Sequence, residues 1–379
     1  MKKSIVALAT LSAIGTAFAD VDVSGGIKLY GVLDESVQSQ ELTEPSTNTS
    51  SKVMGLYSTH GTSRLGVKGN RDLGEGTKAH IQVEIELDPD TSTLLPAKNR
   101  GTFVGLENAT VGVIRLGTQE TTAYEVFGMD VNGRVEYKPQ VWRATTSSST
   151  QDRANNSIKY ISPTLAGFNL HLMTNFSEAS SNTAATAATT SVFRSYGLKY
   201  KMDKFNAALL QDRISNTYMS YKFAGSANAG VATTNITNYV LHYGGGSITT
   251  PVYRNIAAAT YDFDGFSVNY LYAKSFQNGS TPGSLTTSTY GIKIPFDKAT
   301  FAFSIGTGNL DSPNSSAVAA TSTTNGRAKD GDITDYTFGG TYAFDKSTLA
   351  YVFYSQGTSS VGLYNGKAYT MAVGIRYNF

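Results

Sequence analysis

The chain of 379 residues contains no cysteine, so neither disulfide bonds nor thiolate metal ligands are available to it. Beyond residue 19 it lacks any apolar run that approaches the roughly 18 residues of a membrane-spanning helix. Net charge is lacking too: setting aside Lys2 and Lys3 leaves 29 of the 31 basic residues, which balance the 29 acidic ones. These absences argue against a disulfide scaffold, a helical membrane protein and a nucleic-acid-binding protein.

The first residues have the pattern of a secretory signal peptide. Two lysines follow Met1, an apolar run extends from Ile5 to Ile14, and an Ala-Phe-Ala sequence ends at Ala19. The apolar run is too short to be a membrane anchor. We therefore expect cleavage between Ala19 and Asp20, export of the protein, and a mature chain of residues 20–379 that forms one domain.

Glycine and aromatic residues are abundant, with 37 Gly, 23 Tyr and 18 Phe, which favours a β-rich fold. A chain of this length commonly divides into several soluble domains, but no linker or break in composition divides this one. The segment Tyr369–Phe379 alternates strictly between apolar and small or polar residues, so it predicts a strand with one dry and one wet face. Its terminal aromatic side chains suit a membrane–water boundary.

Short turns and long polar loops alternate along the chain. The predicted short turns are Arg71–Gly76, Glu107–Thr110, Ser162–Gly167, Met202–Lys204, Phe263–Gly265, Phe296–Lys298 and Phe344–Lys346. The predicted long loops are 38–60, 89–98, 119–154, 177–190, 214–252, 277–287, 309–332 and 357–366. Together they connect sixteen strands and place both termini on the short-turn side, as in bacterial outer-membrane barrels. Asn235–Tyr243 also resembles a strand, and we assign it to the fifth loop as an extension because a seventeenth strand would break the even number.

Most predicted strands carry large apolar residues on one face and polar, charged or small residues on the other. The outward residues are expected to be Ile27, Leu29, Leu33, Leu65, Val67, Ile81, Val83, Ile85, Leu87, Ile158, Tyr160, Phe168, Leu170, Leu172, Phe266, Val268, Tyr270, Tyr272, Tyr290, Ile292, Ile294, Phe296, Phe301, Phe303, Ile305, Tyr336, Phe338, Tyr342, Phe344, Leu349, Tyr351 and Phe353. A soluble barrel would need large side chains inside, whereas here the second face is wet. The pattern predicts an all-β fold, a 16-stranded antiparallel transmembrane β-barrel closed around a water-filled lumen.

Several segments resemble general porins of Gram-negative outer membranes, in particular the betaproteobacterial, neisserial-type branch. They are Gly26–Asp34, Ser63–Gly69, Asp72–Gly76, Val104–Leu106, Val113–Gln119, Asn156–Pro163 and Gly374–Phe379, and they follow the family order along nearly the whole chain. The resemblance implies a homotrimer of barrels in the outer membrane, each with its third loop folded inward to narrow the pore. This chain differs from the family in its long fifth loop and in its third-loop sequence.

The narrowest part of the pore is the expected functional site, because pore width and lining charge decide what passes. The third loop, 119–154, carries Glu120, Glu125, Asp130 and Glu136, with Tyr124, Phe127 and Trp142 available to pack it against the wall. Strand parity points several cations inward, namely Lys28, Arg64, Lys68, Arg115, Arg153, Lys159 and Lys293. Arg100 is assigned inward from the resemblance, which also implies that Arg64, Arg100 and Arg153 face Glu125 and Asp130 across the constriction.

These residues predict a general diffusion porin for ions and small hydrophilic solutes, without cofactor, metal or catalytic site. Opposed rows of charge would create a transverse field in a narrow slot, and we expect a weak preference for anions. Inward acids such as Asp34, Glu84 and Glu86 moderate that preference. A channel specific for a sugar or organic acid is the alternative, for which Tyr30 and Tyr354 would supply inward aromatic rings. An adhesive or purely structural barrel is a third class of function. For a porin, the expected partners are outer-membrane lipids, lipopolysaccharide and permeating solutes.

Overall fold

A computed structural model describes residues 21–24, 26–43, 50–91, 99–132, 152–176, 192–215, 220–221, 239–240, 251–277, 283–311, 331–360 and 366–379. The predicted signal peptide and its cleavage site at Ala19 and Asp20 lie outside the described residues. So do Glu136 and Trp142 of the predicted third loop.

The described residues are almost entirely β-structure. The strands are β1 (Val21–Ser24), β2 (Ile27–Thr43), β3 (Ser50–Tyr57), β4 (Arg64–Gly74), β5 (Thr77–Glu86), β6 (Asn99–Asn108), β7 (Gly112–Glu120), β8 (Arg153–Ile161), β9 (Phe168–Asn175), β10 (Val192–Met202), β11 (Phe205–Ser215), β12 (Ser220–Tyr221), β13 (Tyr239–Val240), β14 (Val252–Phe263), β15 (Phe266–Gln277), β16 (Gly283–Phe296), β17 (Ala299–Asp311), β18 (Gly331–Ala343), β19 (Thr348–Ser359) and β20 (Gly366–Asn378). A 3₁₀ helix covers Pro89–Thr91 and helix α1 covers Thr122–Phe127. No helix in the described part of the chain is long and apolar enough to span a membrane.

The strands form a closed antiparallel ring of sixteen wall strands, which confirms the predicted fold class. Strands β3 and β4 both pair with β2 and together make the second wall strand, interrupted at residues 58–63. The last strand, β20, returns to pair with β2 from Val32↔Asn378 to Thr43↔Lys367. The Phe379 backbone extends this pairing, since its N–H donates to the Gly31 carbonyl at 3.0 Å. Closure leaves no unpaired sheet edge between the first and last wall strands.

The predicted turns use two kinds of local chemistry. Asp345 accepts backbone hydrogen bonds at 2.7 Å from both Ser347 and Thr348, which is the side-chain bond expected of a turn aspartate. Asp203 and Asp297 instead adopt left-handed backbone angles, with φ of 48° and 51°. Aspartate tolerates this conformation better than most residues, so the same residue type closes these hairpins in a different way.

Strand β19 corrects the predicted outward face. Tyr351 and Phe353 are buried on the inner side, whereas Val352 and Tyr354 are exposed on the outer side. The predictions that Leu349, Tyr351 and Phe353 face outward and that Tyr354 faces inward are therefore wrong. Both faces of this strand carry large residues, so alternation alone cannot choose between them, and the pairing of Tyr354 with outward Phe338 decides the register.

Several loops are shorter than predicted because the wall strands continue into the predicted loop segments. Strands β2 and β3 extend through much of the predicted loop 38–60, leaving only residues 44–49 between them. Likewise β15 and β16 cover most of the predicted loop 277–287. Within the predicted fifth loop, β13 pairs only with β12 in a separate two-stranded ladder, so this strand is not part of the barrel wall.

The two faces of β5 provide a matched test of the wet-inside, dry-outside wall. Val83 is exposed on the outer face, and its neighbour Gln82 points inward beside Lys68. A lysine placed on the outer face loses hydration, so we expect Val83→Lys to reduce the unfolding free energy by about 2–4 kcal/mol. The matched control Gln82→Lys adds the same charge to the wet face and is expected to cost less than about 1 kcal/mol.

The measurement is equilibrium unfolding in lipid vesicles. The folded fraction is monitored by electrophoresis, because the folded barrel changes its mobility on heating. Equal losses for the two variants would contradict the assignment of the faces.

Candidate functional site

Helix α1 lies inside the barrel against the inner wall. Its apolar residues Ala123, Val126 and Phe127 are buried in one cluster with wall residues of β11, β14 and β15, namely Ala208, Leu210, Ile256, Ala258, Leu271 and Ala273. Thr121 caps the helix, because its side chain accepts a hydrogen bond from the Tyr124 N–H at 3.1 Å. The small alanines on the wall leave room for the helix, so the described part of the third loop lies inside the barrel and narrows the lumen, as predicted.

A buried ion pair lies in the wall beside the helix. The Arg254 guanidinium on β14 donates from Nε to the Asp212 carboxylate on β11 at 2.8 Å, and a second donor, Nη2, also contacts Asp212. Both side chains are fully buried, and the Arg254 guanidinium carbon lies 5.7 Å from the ring centre of Phe127. The guanidinium therefore contacts both its carboxylate and the aromatic face of α1.

After α1 the chain continues along the inner wall and contacts strands β15 and β17. The Val131 N–H donates to the Asn269 side chain on β15 at 3.2 Å, and the Asn132 amide donates to the Ser304 hydroxyl on β17 at 2.9 Å. Asp130 is buried and accepts the Asn132 N–H at 2.8 Å. This predicted constriction acid therefore bonds to the backbone of its own loop.

Glu125 is held by lysines from two wall strands. Its carboxylate contacts the ammonium of Lys159 on β8 and accepts a hydrogen bond from Lys199 on β10 at 2.6 Å. Lys159 is only 1% exposed, and it also donates to the Glu120 carbonyl at 3.1 Å. Burial alone raises the pKa of Glu125, but the two ammonium groups outweigh it and hold this pKa well below its usual range. The carboxylate therefore remains charged and anchors the loop to the wall.

The other predicted loop acid, Glu120, pairs with a predicted cation. Arg153 approaches Glu120 at 3.3 Å, and its guanidinium carbon lies 5.4 Å from the ring centre of Tyr124. Glu120 is the last residue of β7 and Arg153 the first of β8, so this pair lies at the base of the third loop.

Arg64 and Arg100 both contact carboxylates of the wall. The Arg100 Nε donates to Glu84 at 2.6 Å and its Nη1 lies 3.6 Å from Glu86. The Arg64 Nε lies 3.4 Å from the other oxygen of Glu84, which also accepts the Tyr30 hydroxyl at 3.0 Å. The alternation of the sequence predicted that Glu84 and Glu86 point inward. It could not show that their partners would be arginines on β4 and β6. This cluster lies on the early wall strands, whereas Glu125 is bound on β8 and β10.

The remaining predicted cations occupy different parts of the inner wall. Arg115 on β7 donates to the His80 ring nitrogen at 3.2 Å and lies 5.0 Å from the ring centre of Phe103. Lys68 on β4 lies 4.9 Å from the ring centre of Tyr30. Lys28 is its partner on β2, near the short-turn end of that strand.

A polar bulge between β3 and β4 was not predicted. Asp34 is fully buried and its Oδ1 accepts the Thr59 N–H at 2.9 Å and the Tyr351 hydroxyl at 2.8 Å. His60 lies next to the Tyr351 ring and contacts Arg376 at 3.2 Å. The sequence did predict that Asp34 points inward, which was one signal for this network. The interruption of the second wall strand at residues 58–63 could not be predicted, because no local sequence pattern marks it.

The site combines a narrowed lumen with charged side chains that are mostly held in ion pairs and hydrogen bonds. Within the described ranges, no group of three His, Cys, Asp or Glu residues is arranged to hold a metal ion. Arranged in this way, the charges can steer ions and orient polar solutes without forming bonds to them.

Comparisons with known proteins agree with this geometry. The family model of Gram-negative porins matches residues 5–362. Outer membrane porin protein 32 of Delftia acidovorans is 34% identical over 45% of this chain and 48% of its own length. Major outer membrane protein P.IB of Neisseria gonorrhoeae is 33% identical over 44% of this chain and 46% of its own length. Each of these alignments therefore spans about half of the relative.

Among solved structures, an anion-selective porin from Comamonas acidovorans superposes with a TM-score of 0.68. It covers 93% of this chain and 99% of its own at 19% sequence identity. At that identity the match supports the barrel fold. The predicted likeness to neisserial-type porins is confirmed by the sequence relatives and the family match.

Removing the Glu125 carboxylate should release α1 from the wall. Glu125→Gln leaves the buried Lys159 ammonium without its carboxylate, which typically costs about 3–5 kcal/mol. The cysteine-free chain allows a single Ala123→Cys probe in the buried face of α1, and we expect a maleimide to label it faster in the Glu125→Gln background. Because maleimide reacts with the thiolate, each rate is divided by that of a small free thiol at the same pH. With Glu125 present, this relative rate should stay low between pH 7 and pH 4, because an acid with a lowered pKa keeps its charge in that range.

Glu120→Gln is the matched control, since its ion pair is more exposed and is worth about 0–1 kcal/mol. Equal labelling rates in the two variants, or rapid labelling of the Glu125 protein at pH 4, would contradict the anchoring role of Glu125.

Proposed function

The chain belongs to the Gram-negative porin family, and on that premise we propose that it forms a water-filled outer-membrane channel for passive diffusion of ions and small hydrophilic solutes. The observation that carries this proposal is the closed wall with a polar inner face, narrowed by helix α1. A lumen lined by charged side chains admits water, while its width limits the size of solutes.

The constriction is proposed to lie at the level of α1. On one side is the cluster of Glu84 with Arg64 and Arg100, and on the other is the cluster of Glu125 with Lys159 and Lys199. On the basic side we assign Arg64, Arg100, Arg153, Lys28, Lys68, Arg115 and Lys159, and on the acidic side Glu120, Glu125 and Asp130. Their contacts support different roles: Glu125 and Asp130 stabilise the loop, while the pairs of Glu84 with Arg64 and Arg100 line the early wall.

A weak preference for anions is supported by the local charge beside α1. Lys159 and Lys199 share the single Glu125 carboxylate, and Arg115 is the register partner of Lys159 on the next strand. In the part of the chain that the structure describes, Arg115 has no carboxylate partner. Three cations against one carboxylate attract anions along this side of the lumen.

We also propose that the barrel assembles as a homotrimer and contacts lipopolysaccharide and other outer-membrane lipids through its outer face. The family resemblance supports the trimer, and the many exposed apolar side chains of the outer face support the lipid contact. No catalytic role is assigned, since the family and its fold are those of channel proteins.

Liposome swelling tests the diffusion proposal directly. Proteoliposomes in a series of neutral sugars should swell at rates that fall smoothly as sugar size increases, because width alone selects neutral solutes. Liposomes prepared with heat-unfolded protein are the control. One sugar entering far faster than its size allows would favour a substrate-specific channel instead, and no swelling at all would contradict a channel.

Arg115 tests the origin of the anion preference. Arg115→Gln removes a cation that lacks a carboxylate partner in the described residues, so we expect the zero-current potential under a salt gradient to shift toward the non-selective value. Lys204→Gln is the control, because Lys204 pairs with Asp264 on the short-turn surface, outside the lumen. A wild-type potential of cation-selective sign, or an equal shift in both variants, would refute the proposed source of selectivity.

A further inference from the structure

A group of three cations lies on the outer face of strands β10, β11 and β15, where hydrocarbon or the membrane interface meets the barrel. Arg194 on β10 and Arg213 on β11 are direct cross-strand partners. Lys274 on β15 lies one row nearer the membrane centre, opposite Asn255 of β14. Each shares its strand parity with an exposed residue of the same strand, namely Tyr196 on β10, Leu209 on β11 and Tyr270 on β15, so all three point away from the lumen.

These cations are not neutralised within the described ranges of the chain, where none has a hydrogen-bond or ion-pair partner. Like charges directly opposite each other on adjacent strands repel. Charge on the outer face of a membrane barrel is also unfavourable unless it lies near the interface or meets an anion. The arrangement of Arg194 and Arg213 therefore indicates an external negative group between them.

The cluster is close to the long-loop end of the barrel. Arg194 lies two residues after the start of β10, and Arg213 lies two residues before the end of β11. The short turn between these strands, at Asp203 and Lys204, lies at the opposite end. In outer-membrane barrels the long loops are extracellular, so the cations lie at the level of outer-leaflet headgroups.

An apolar groove of about 430 Å³ runs along the outer wall directly below the cations. Its apolar lining includes Leu170, Tyr196, Leu198, Leu209, Ala257 and Tyr272. Ala257 leaves a depression between Leu209 and Tyr272, its register partners on the two neighbouring strands. At the upper end, the Gln211 amide donates to the Asn255 amide oxygen at 3.1 Å, which places polar groups between the groove and the arginines.

We propose, building on the lipid contact of the outer face proposed above, that this surface binds a polyacylated lipid bearing phosphate monoesters, the kind that fills the outer leaflet of a Gram-negative outer membrane. A phosphate accepts charge-assisted hydrogen bonds from Arg194 and Arg213, with Lys274 adding a third donor. The amide pair of Gln211 and Asn255 contacts the polar backbone of the headgroup. One acyl chain lies in the groove over Ala257, so charge and apolar shape select the same molecule.

Native mass spectrometry of the detergent-purified, refolded protein tests this proposal, with bisphosphorylated lipid A as the probe. We expect wild-type protein to retain lipid A through a detergent wash, and the double variant Arg194→Gln/Arg213→Gln to retain it at least about tenfold less, since two charge-assisted contacts are lost. Lys298→Gln/Lys346→Gln removes two cations at the short-turn end and should retain lipid A like wild type. Ala257→Phe should also weaken retention, because it fills the groove.

The site is separate from the channel, so conductance should be unchanged in the arginine variant, and heat-modifiable mobility establishes that each variant is folded. Undiminished lipid A retention in the arginine variant would overturn the proposal. Equal retention of phosphatidylglycerol or dephosphorylated lipid A would overturn the assignment to phosphate monoesters. Loss of oligomer in the arginine variant, with no lipid retained by wild type, would assign the surface to a second copy of the chain.

Discussion

Closure of the backbone hydrogen-bond ladder is the constraint on which the rest of the structure depends. A strand in hydrocarbon finds no water for its free N–H and C=O groups, so every wall strand needs two neighbours. The chain meets this requirement by pairing β20 with β2 and by extending the pairing to the terminal Phe379. The alternation of apolar and polar residues follows from closure, because each strand then has one dry and one wet face.

A wide closed ring creates a second problem, since its lumen is too large to be filled by wall side chains alone. The third loop addresses it by sending α1 inward, where Phe127 and its neighbours pack on the small alanines of β11 and β14. The buried pair of Arg254 with Asp212 and the contacts of Glu125 with two lysines fix the same helix from both sides. The width of the channel is thereby set by ion pairs as well as by apolar packing.

The wall could be predicted from sequence because period-two alternation is a local signal that each strand repeats. Strand β19 shows where that signal fails: Tyr351 and Tyr354 are both large and both acceptable at a wet or dry surface, so only pairing with β18 fixes the face. The site was less predictable, because Glu84 reaches Arg64 and Arg100 across strand pairs whose register is a tertiary property. The bulge at His60 depends on Asp34 and Tyr351, which are distant in sequence.

Charges on the two faces of the wall obey different electrostatic rules. On the inner face, water and nearby carboxylates stabilise a dense set of cations such as Lys159, whose ammonium is buried but paired. On the outer face, Arg194 and Arg213 face each other with no such partner in the described residues. A barrel tolerates such a pair at the level of headgroups because lipid phosphates supply there the negative charge that acidic side chains supply in the lumen. Under the proposed lipid site, one fold thus uses cations in two ways, to line a passage for solutes and to bind the membrane that surrounds it.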